Sequence, residues 1–246
     1  MTKHDHSRLR VLVISALPQE IAAITPLAAD GVFPDANIHV LVSGVGKVAM
    51  AASFQRAIER IRPDVALLVG VAGALRADLR LGDIGVVEGA IDADFDVRAW
   101  RPDAQRGENP LTGERVFSAD PILCDLLVRF APPHVFQAYA ASGSAFLDRE
   151  AKHRFLRHDA PDLAITRENA LRPPDLVDME SSAFLQVAAL NGVSAAALRV
   201  ISDPLEGDAV ADFDAFLKFA SAEYADILTD LIRRLSEAMA TPRRED

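Results

Sequence analysis

Acidic residues stand at two places in this chain where carboxylates could do chemistry. An apolar run of small and β-branched residues, 195–201, leads directly to Ser202-Asp203, which predicts a buried strand ending in a carboxylate at the rim of a sheet. A second acidic signature, Asp178-Met179-Glu180, stands where a helical pattern begins. Because open α/β sheets bind ligands at the carboxyl ends of their strands, such acids can divide the work of holding a substrate and moving a proton.

A third acid, Glu20, follows the first predicted strand and a short Leu-Pro-Gln connection. Taken alone, it has the ordinary interpretation of an acid in the first turn of a helix. Together with Glu180 and Asp203 it indicates a site, because all three lie at predicted strand-to-helix junctions on one edge of one sheet. Arg199 interrupts the apolar run, where an unpaired cation would be costly, so we expect it to pair with Glu20 or Glu180.

Two glycine-bearing segments follow predicted strands. Residues 43–49, Ser-Gly-Val-Gly-Lys-Val-Ala, nearly match a dinucleotide fingerprint, but the motif is short and close packing of the helix on the sheet, which needs no ligand, is the better explanation. Residues 70–73, Gly-Val-Ala-Gly, could bring backbone amides close to a ligand or could simply form a tight turn. A phosphate co-substrate would require an arginine beside Glu20 or beside this second segment, and neither place has one.

Composition excludes several classes of function. The formal charge of −10 and the absence of a basic face argue against nucleic acid as a partner. The single cysteine, Cys124, excludes a disulfide framework, and the histidines lack ligand spacing, so we expect no metal and no cofactor. The polar amino terminus and the lack of a long apolar run predict a cytoplasmic protein without a signal peptide or membrane contact.

Predicted strands and helices alternate along the 246 residues. This order favours an α/β fold, a three-layer α/β/α sandwich around a mostly parallel, mixed central sheet. No linker or repeat divides the chain, so we expect one domain over residues 9–240, a disordered amino-terminal tail over 1–8 and a polar tail over 241–246.

Six motifs in a fixed order resemble the purine nucleoside phosphorylase and nucleosidase superfamily, and the most similar branch is 5′-methylthioadenosine/S-adenosylhomocysteine nucleosidase. The resemblance covers about residues 9–235 and is weakest over 101–175. It implies a nucleoside phosphorylase-like fold and hydrolysis of the N-glycosidic bond of an adenine nucleoside. The motifs are Ala16 to Glu20, residues 43–49, Pro63-Asp64 with 70–73, Leu81-Gly82-Asp83, Asp178 to Ser181, and Arg199 to Asp203.

The resemblance also implies roles for single residues. Asp203 would protonate the purine N7 as general acid. Glu180 would hold the ribose hydroxyls beside Met179, and Glu20 would orient the attacking water with help from Arg199. These residue types suit the reaction, because adenine leaves poorly until protonated and the ribosyl group becomes cationic.

Further residues are implied to bind substrate. Phe146 would stack on the base with Leu147 adjacent, Phe213 would supply a second aromatic side chain, and Val45 would line the sugar side. The remaining predicted substrate-binding residues are Val71, Gly73 and Ser202. The resemblance further implies a small-molecule nucleoside substrate and a homodimer, with the partner's segment 96–100 covering the thioalkyl group.

Residue 71 departs from the family pattern, because Val71 replaces a serine whose hydroxyl would lie near the water or ribose. Three functions therefore stay open. The first is a nucleosidase for 5′-thio-substituted adenosines. The second is a nucleosidase or phosphorylase acting on another nucleoside, and the third is a non-catalytic nucleoside sensor.

Overall fold

The computed structural model describes residues 8–29, 31–129, 132–167, 169–206 and 213–240. Its strands are β1 Leu9–Ser15, β2 Ala36–Val42, β3 Val65–Ala74, β4 Ile84–Asp92, β5 Phe117–Ser118, β6 Val135–Ser142, β7 Ile165–Arg167, β8 Ala170–Arg172, β9 Leu176–Asp178 and β10 Ser194–Asp203. Its α-helices are α1 Lys47–Ile61, α2 Pro121–Arg129, α3 Arg149–His158, α4 Ser181–Asn191 and α5 Phe213–Ala240. Short 3₁₀ turns occupy Pro18–Ile21, Thr25–Ala28 and Ala160–Leu163.

The central sheet is mixed, as predicted, and β3 pairs with β10 along its length and with β9 at its end. Strand β1 lies parallel between β2 and β3, and β10 runs parallel to β3 but antiparallel to β4. Strands β4, β6 and β9 then pair in parallel, and β9 returns antiparallel to the end of β3. Several strands therefore bring their carboxyl ends to one place.

The core lies where β1, β3 and β10 meet the helices. These strands are almost wholly buried, which explains their continuous apolar sequences. Helices α1 and α4 pack through Phe54 and Phe184, whose rings stack with centroids 4.7 Å apart. On α5, the Tyr224 hydroxyl accepts a hydrogen bond from Val200 N at 2.8 Å and donates to the carbonyl of Gly70. This contact joins α5 to the paired strands β3 and β10.

Two segments differ from what their local sequence indicates. The apolar pattern of 21–27, with Pro18 suited to a first helical turn, predicts a short helix. The structure has two 3₁₀ turns there, because Pro26 lacks the N–H that a continuous α-helix would need. Residues 158–175 are polar with three prolines and predict no regular element, but they hold a 3₁₀ turn and the hairpin β7–β8.

At the chain termini, Arg8 of the predicted tail donates hydrogen bonds to the carbonyls of Phe33 and Ala36. Residues 1–7 and 241–246 lie outside the described residues. Across the described ranges, no helix combines the length and apolar character required to traverse a bilayer.

Candidate active site

A cavity of about 340 Å³ opens at the carboxyl ends of β1, β3, β6, β9 and β10. It gathers nearly all of the predicted site residues, although they come from distant parts of the sequence. Those that line it are Glu20, Val45, Val71, Gly73, Phe146, Leu147, Met179, Glu180, Ser202 and Asp203. The wall is completed by Asp178 and by five apolar residues that are not among the predicted site residues, Ala16, Leu17, Ala72, Ala145 and Val177.

Arg199 does not line this cavity but lies behind it, with none of its surface exposed. Its Nε is 2.8 Å from Asp178 Oδ2, and its Nη2 is 3.2 Å from Glu180 Oε2. The expected partner Glu180 is therefore correct, and Asp178 was missed. Although burial by itself lowers the pKa of Arg199, the charges of Asp178, Glu180 and Glu20 raise it overall. The guanidinium thus positions the acids and does not reach into the cavity.

Asp178 has a structural role, because its carboxylate is fully taken up by neighbouring donors. Besides Arg199, it accepts hydrogen bonds from Ser142 Oγ at 2.6 Å and from the amide and hydroxyl of Ser181. Both acids of the segment 178–180 therefore contact Arg199 and line the cavity, but the oxygens of Asp178 are also bonded by Ser142 and Ser181.

Glu20 is held at the cavity wall by the 3₁₀ turn Pro18–Ile21. Its Oε2 accepts the amide of Leu17 at 2.8 Å, and its Oε1 accepts the amide of Val71 at 3.2 Å. Burial raises the pKa of Glu20, and the nearby Arg199 charge and the two amides offset part of this rise. A carboxylate with a raised pKa is suited to accept a proton from water.

Glu180 connects the glycine-rich loop to the site. Its Oε1 accepts the amide of Gly46 at 2.8 Å, so this amide of the glycine-rich loop is bonded to an acid of this chain. Lys47 pairs with Asp92 at 2.5 Å and with Asp94 at 3.0 Å. Burial raises the pKa of Glu180, and the Arg199 charge lowers it in part. The dinucleotide interpretation of this loop has no support in these contacts.

Asp203 stands at the end of β10, where the pairing with β3 shifts register and places it opposite Gly73. Its Oδ1 accepts a hydrogen bond from Ser202 Oγ at 2.8 Å. Its Oδ2 lies 2.9 Å from Nζ of Lys152, a residue that the sequence analysis missed. Gly73 allows this arrangement, because a Cβ at that position would lie 2.8 Å from Asp203 Oδ2.

One signal in the sequence could have pointed to Lys152. It stands three residues before the buried Phe155 on α3, so both side chains share the face that packs inward. A lysine on such a face needs an acidic partner. The identity of that partner is visible only in the folded chain.

The remaining walls are mostly apolar. Val45, Val71, Leu147 and Met179 line the cavity, and Phe146 stands at its mouth with 65% of its surface exposed. The structure places Phe213 at the start of α5 but does not describe its side chain, so this predicted contact lies outside the described part.

Comparison with known proteins places the chain in a family. The family model described as Phosphorylase superfamily matches residues 10–233. A 5′-methylthioadenosine/S-adenosylhomocysteine nucleosidase of Haemophilus influenzae is 26% identical over 243 residues, covering 92% of this chain and 100% of that protein. A nucleosidase of the same name from a Geobacillus species is 25% identical, covering 93% of this chain and 100% of that protein.

Solved structures show the same fold. A futalosine hydrolase mutant of Helicobacter pylori superposes with a TM-score of 0.78 at 23% identity, covering 92% of this chain and 99% of the other. A 5′-methylthioadenosine/S-adenosylhomocysteine nucleosidase of Campylobacter jejuni gives a TM-score of 0.78 at 21% identity, with the same coverage. The chain belongs to the phosphorylase superfamily, and the resemblance stated from its ordered motifs is confirmed.

Proposed function

We propose that this member of the phosphorylase superfamily is a cofactor-free nucleosidase, which hydrolyses the N-glycosidic bond of 5′-thio-substituted adenosines and releases adenine. Methylthioadenosine and S-adenosylhomocysteine are the proposed substrates. One observation carries the proposal. The buried carboxylates of Glu20, Glu180 and Asp203 meet at one cavity whose other walls are mostly apolar, and a fourth buried acid there, Asp178, is taken up by Arg199 and two serines.

The three acids can divide the reaction among them. Asp203 donates a proton to N7 of the adenine, so that the electron pair of the breaking C–N bond is accepted by a neutral leaving group. Glu180 accepts hydrogen bonds from the ribose hydroxyls, and its charge favours the cationic ribosyl group. Glu20 accepts a proton from the water that attacks C1′, a role that its raised pKa suits.

The charges around the cavity favour water over phosphate as the nucleophile. Within the described residues, no lysine or arginine lines the cavity. Arg199 and Lys152 are both occupied by acids behind its wall. Since a phosphate co-substrate or a 5′-phosphate would face carboxylates without a guanidinium partner, a neutral 5′ substituent fits better.

The apolar wall supports a thioalkyl group at the 5′ position. Val45, Val71 and Met179 present hydrocarbon and thioether surface to the cavity, and Val71 offers no hydroxyl where the family pattern has a serine. The names of the curated relatives agree with this substrate class. The proposal includes a homodimer in which the partner's segment 96–100 covers the cavity, because Phe146 and Trp100 are 65% and 69% exposed.

A substrate panel tests the proposal. The protein is incubated with methylthioadenosine, S-adenosylhomocysteine, adenosine, AMP, inosine and futalosine, with and without phosphate, and free base is measured. Release of adenine from the two thio-substituted nucleosides without phosphate is expected. A phosphate requirement would indicate a phosphorylase, preferential cleavage of futalosine would indicate another 5′ group, and binding without turnover would indicate a sensor.

The acid is tested by Asp203→Asn, which should lower turnover of methylthioadenosine on the order of 10²-fold or more while leaving the fold intact. Asp125→Asn, which changes a half-exposed helix residue, is the matched control and should keep full activity. Wild-type rates in the Asp203 variant would contradict its role. Size-exclusion chromatography with light scattering tests the dimer, and a monomer at micromolar concentration would contradict that part.

A further inference from the structure

Lys152 is one of the largest fully buried side chains, with 1% of its surface exposed. Its ammonium group donates to three acceptors, Asp203 Oδ2, the carbonyl of Asp203 and the carbonyl of Pro204, each at 2.9 Å. A buried ion pair contributes little to stability compared with apolar packing of the same volume. Stability therefore does not explain why a lysine lies buried beside Asp203.

The contact makes the two oxygens of Asp203 different. Oδ2 is fixed by the ammonium of Lys152, whereas Oδ1 is bonded by the hydroxyl of Ser202. A hydroxyl can rotate and either donate or accept, but an ammonium can only donate. Oδ1 is therefore the oxygen that can carry a proton, and Oδ2 is the oxygen that keeps its lone pairs toward a cation.

We propose that Lys152 is a positioning residue for protonation of the leaving base, acting through Asp203. This rests on the proposed function, in which Asp203 is the general acid. When the base departs, the Oδ1–H bond breaks, an N7–H bond forms and the C–N electron pair stays on the base. Asp203 is left as a carboxylate, and its new negative charge is stabilised by an ammonium that is already in contact and needs no rearrangement.

The same lysine ties the acid to the segment that holds the base. Helix α3 begins directly after Phe146 and Leu147, and its first turn is capped by Asp148, whose Oδ1 accepts the amide of Ala151 at 2.8 Å. Lys152 follows in that turn, and its ammonium group donates hydrogen bonds to Asp203 and Pro204 at the end of β10. The proton donor and the wall against which the base stacks are thus connected by one side chain.

Leaving-group dependence tests this role. The variants are Lys152→Met, Asp203→Asn and the double variant, with Lys218→Met, an exposed residue of α5, as the control. Each is assayed with methylthioadenosine and with the 4-nitrophenyl glycoside of 5-methylthioribose, whose phenolate departs without a proton. Lys152→Met should lower kcat for methylthioadenosine by about tenfold or more, with little change in KM.

The same variant should change the rate on the nitrophenyl substrate by less than about twofold, and adding it to Asp203→Asn should cause no further loss. Lys152→Arg, which keeps the charge, should recover part of the rate. Circular dichroism and the melting temperature check the fold. If Lys152→Met does not fold, Lys152→Gln is compared in the same way, since it loses the charge but keeps a donor.

Two failures can be told apart. Equal losses on both substrates, or a loss in the double variant that multiplies the two single losses, would overturn the role of Lys152 and leave Asp203 as the acid. An Asp203→Asn variant that loses both activities equally would overturn the assignment of the acid itself, and the role of Lys152 with it.

Discussion

Replacement of Arg199 by methionine should destabilise the protein more than any change at a surface ion pair. The guanidinium is wholly buried and contacts Asp178 and Glu180, with Glu20 near enough to act on it through its charge. Methionine fills a similar volume but carries no charge. The variant therefore leaves several buried acids without the cation that compensates them.

The size of the effect follows from this imbalance. Removing one partner of a buried ion pair costs about 3–5 kcal/mol, because the other charge stays buried and uncompensated. A domain of this size loses roughly 2–4 °C of melting temperature per kcal/mol, so a decrease of about 6–20 °C is expected. The loss should grow with pH. Without Arg199, the pKa values of Glu20 and Glu180 rise further, and acids with raised pKa values reduce stability as pH increases through them.

Melting is followed by circular dichroism at fixed protein concentration, since a dimer would make the midpoint concentration-dependent. Arg234→Met is the control. It removes a partly exposed i,i+4 pair with Asp230 on α5, an interaction worth about 0.3–0.5 kcal/mol. If the Arg199 variant melted within a degree or so of this control, or lost stability equally at acidic and neutral pH, the assigned network would be wrong.

Two other substitutions probe the site, and a labelling experiment probes the buried Cys124. Because burial raises the pKa of Glu20, the folded chain holds the proton of that carboxyl more tightly than the unfolded chain does, so stability falls as pH rises above the ordinary glutamate range. Glu20→Gln should therefore have a higher melting temperature than wild type at about pH 8, and the difference should close toward about pH 4.5. Equal melting temperatures of the two proteins at both pH values would contradict this. Gly73→Ala should lower kcat by about 10²-fold, because its methyl group would displace Asp203, whereas Gly143→Ala, with no contact nearer than 3.6 Å, should retain activity. Burial raises the pKa of Cys124 to about 12, so mass spectrometry should find no iodoacetamide adduct on the folded protein and full labelling in denaturant.

Local pattern predicted the elements well where each one is long and periodic. Strands β3 and β10 read as apolar runs because both faces are buried, and α5 repeats its apolar residues at helical spacing. The segment from 158 to 175 predicts no element, because the strands of its hairpin are short, are mostly exposed apart from Ile165 and have no apolar alternation. Pro26 is the signal for separate turns after β1, and it outweighs the apolar pattern of 21–27.

The order of the elements and the presence of carboxylates at strand ends follow from the sequence alone, because both depend on neighbours within a few residues. Which acids keep hydrogen-bonding capacity for a ligand does not. Asp178 and Glu180 are two residues apart, and both contact Arg199 and line the cavity, yet only Asp178 is also bonded by Ser142 and Ser181. The pairing of Lys152 with Asp203 joins positions 51 residues apart and exists only because α3 packs against the end of β10. Such contacts depend on how the helices pack against the sheet, and the sequence around each residue does not identify its distant partner.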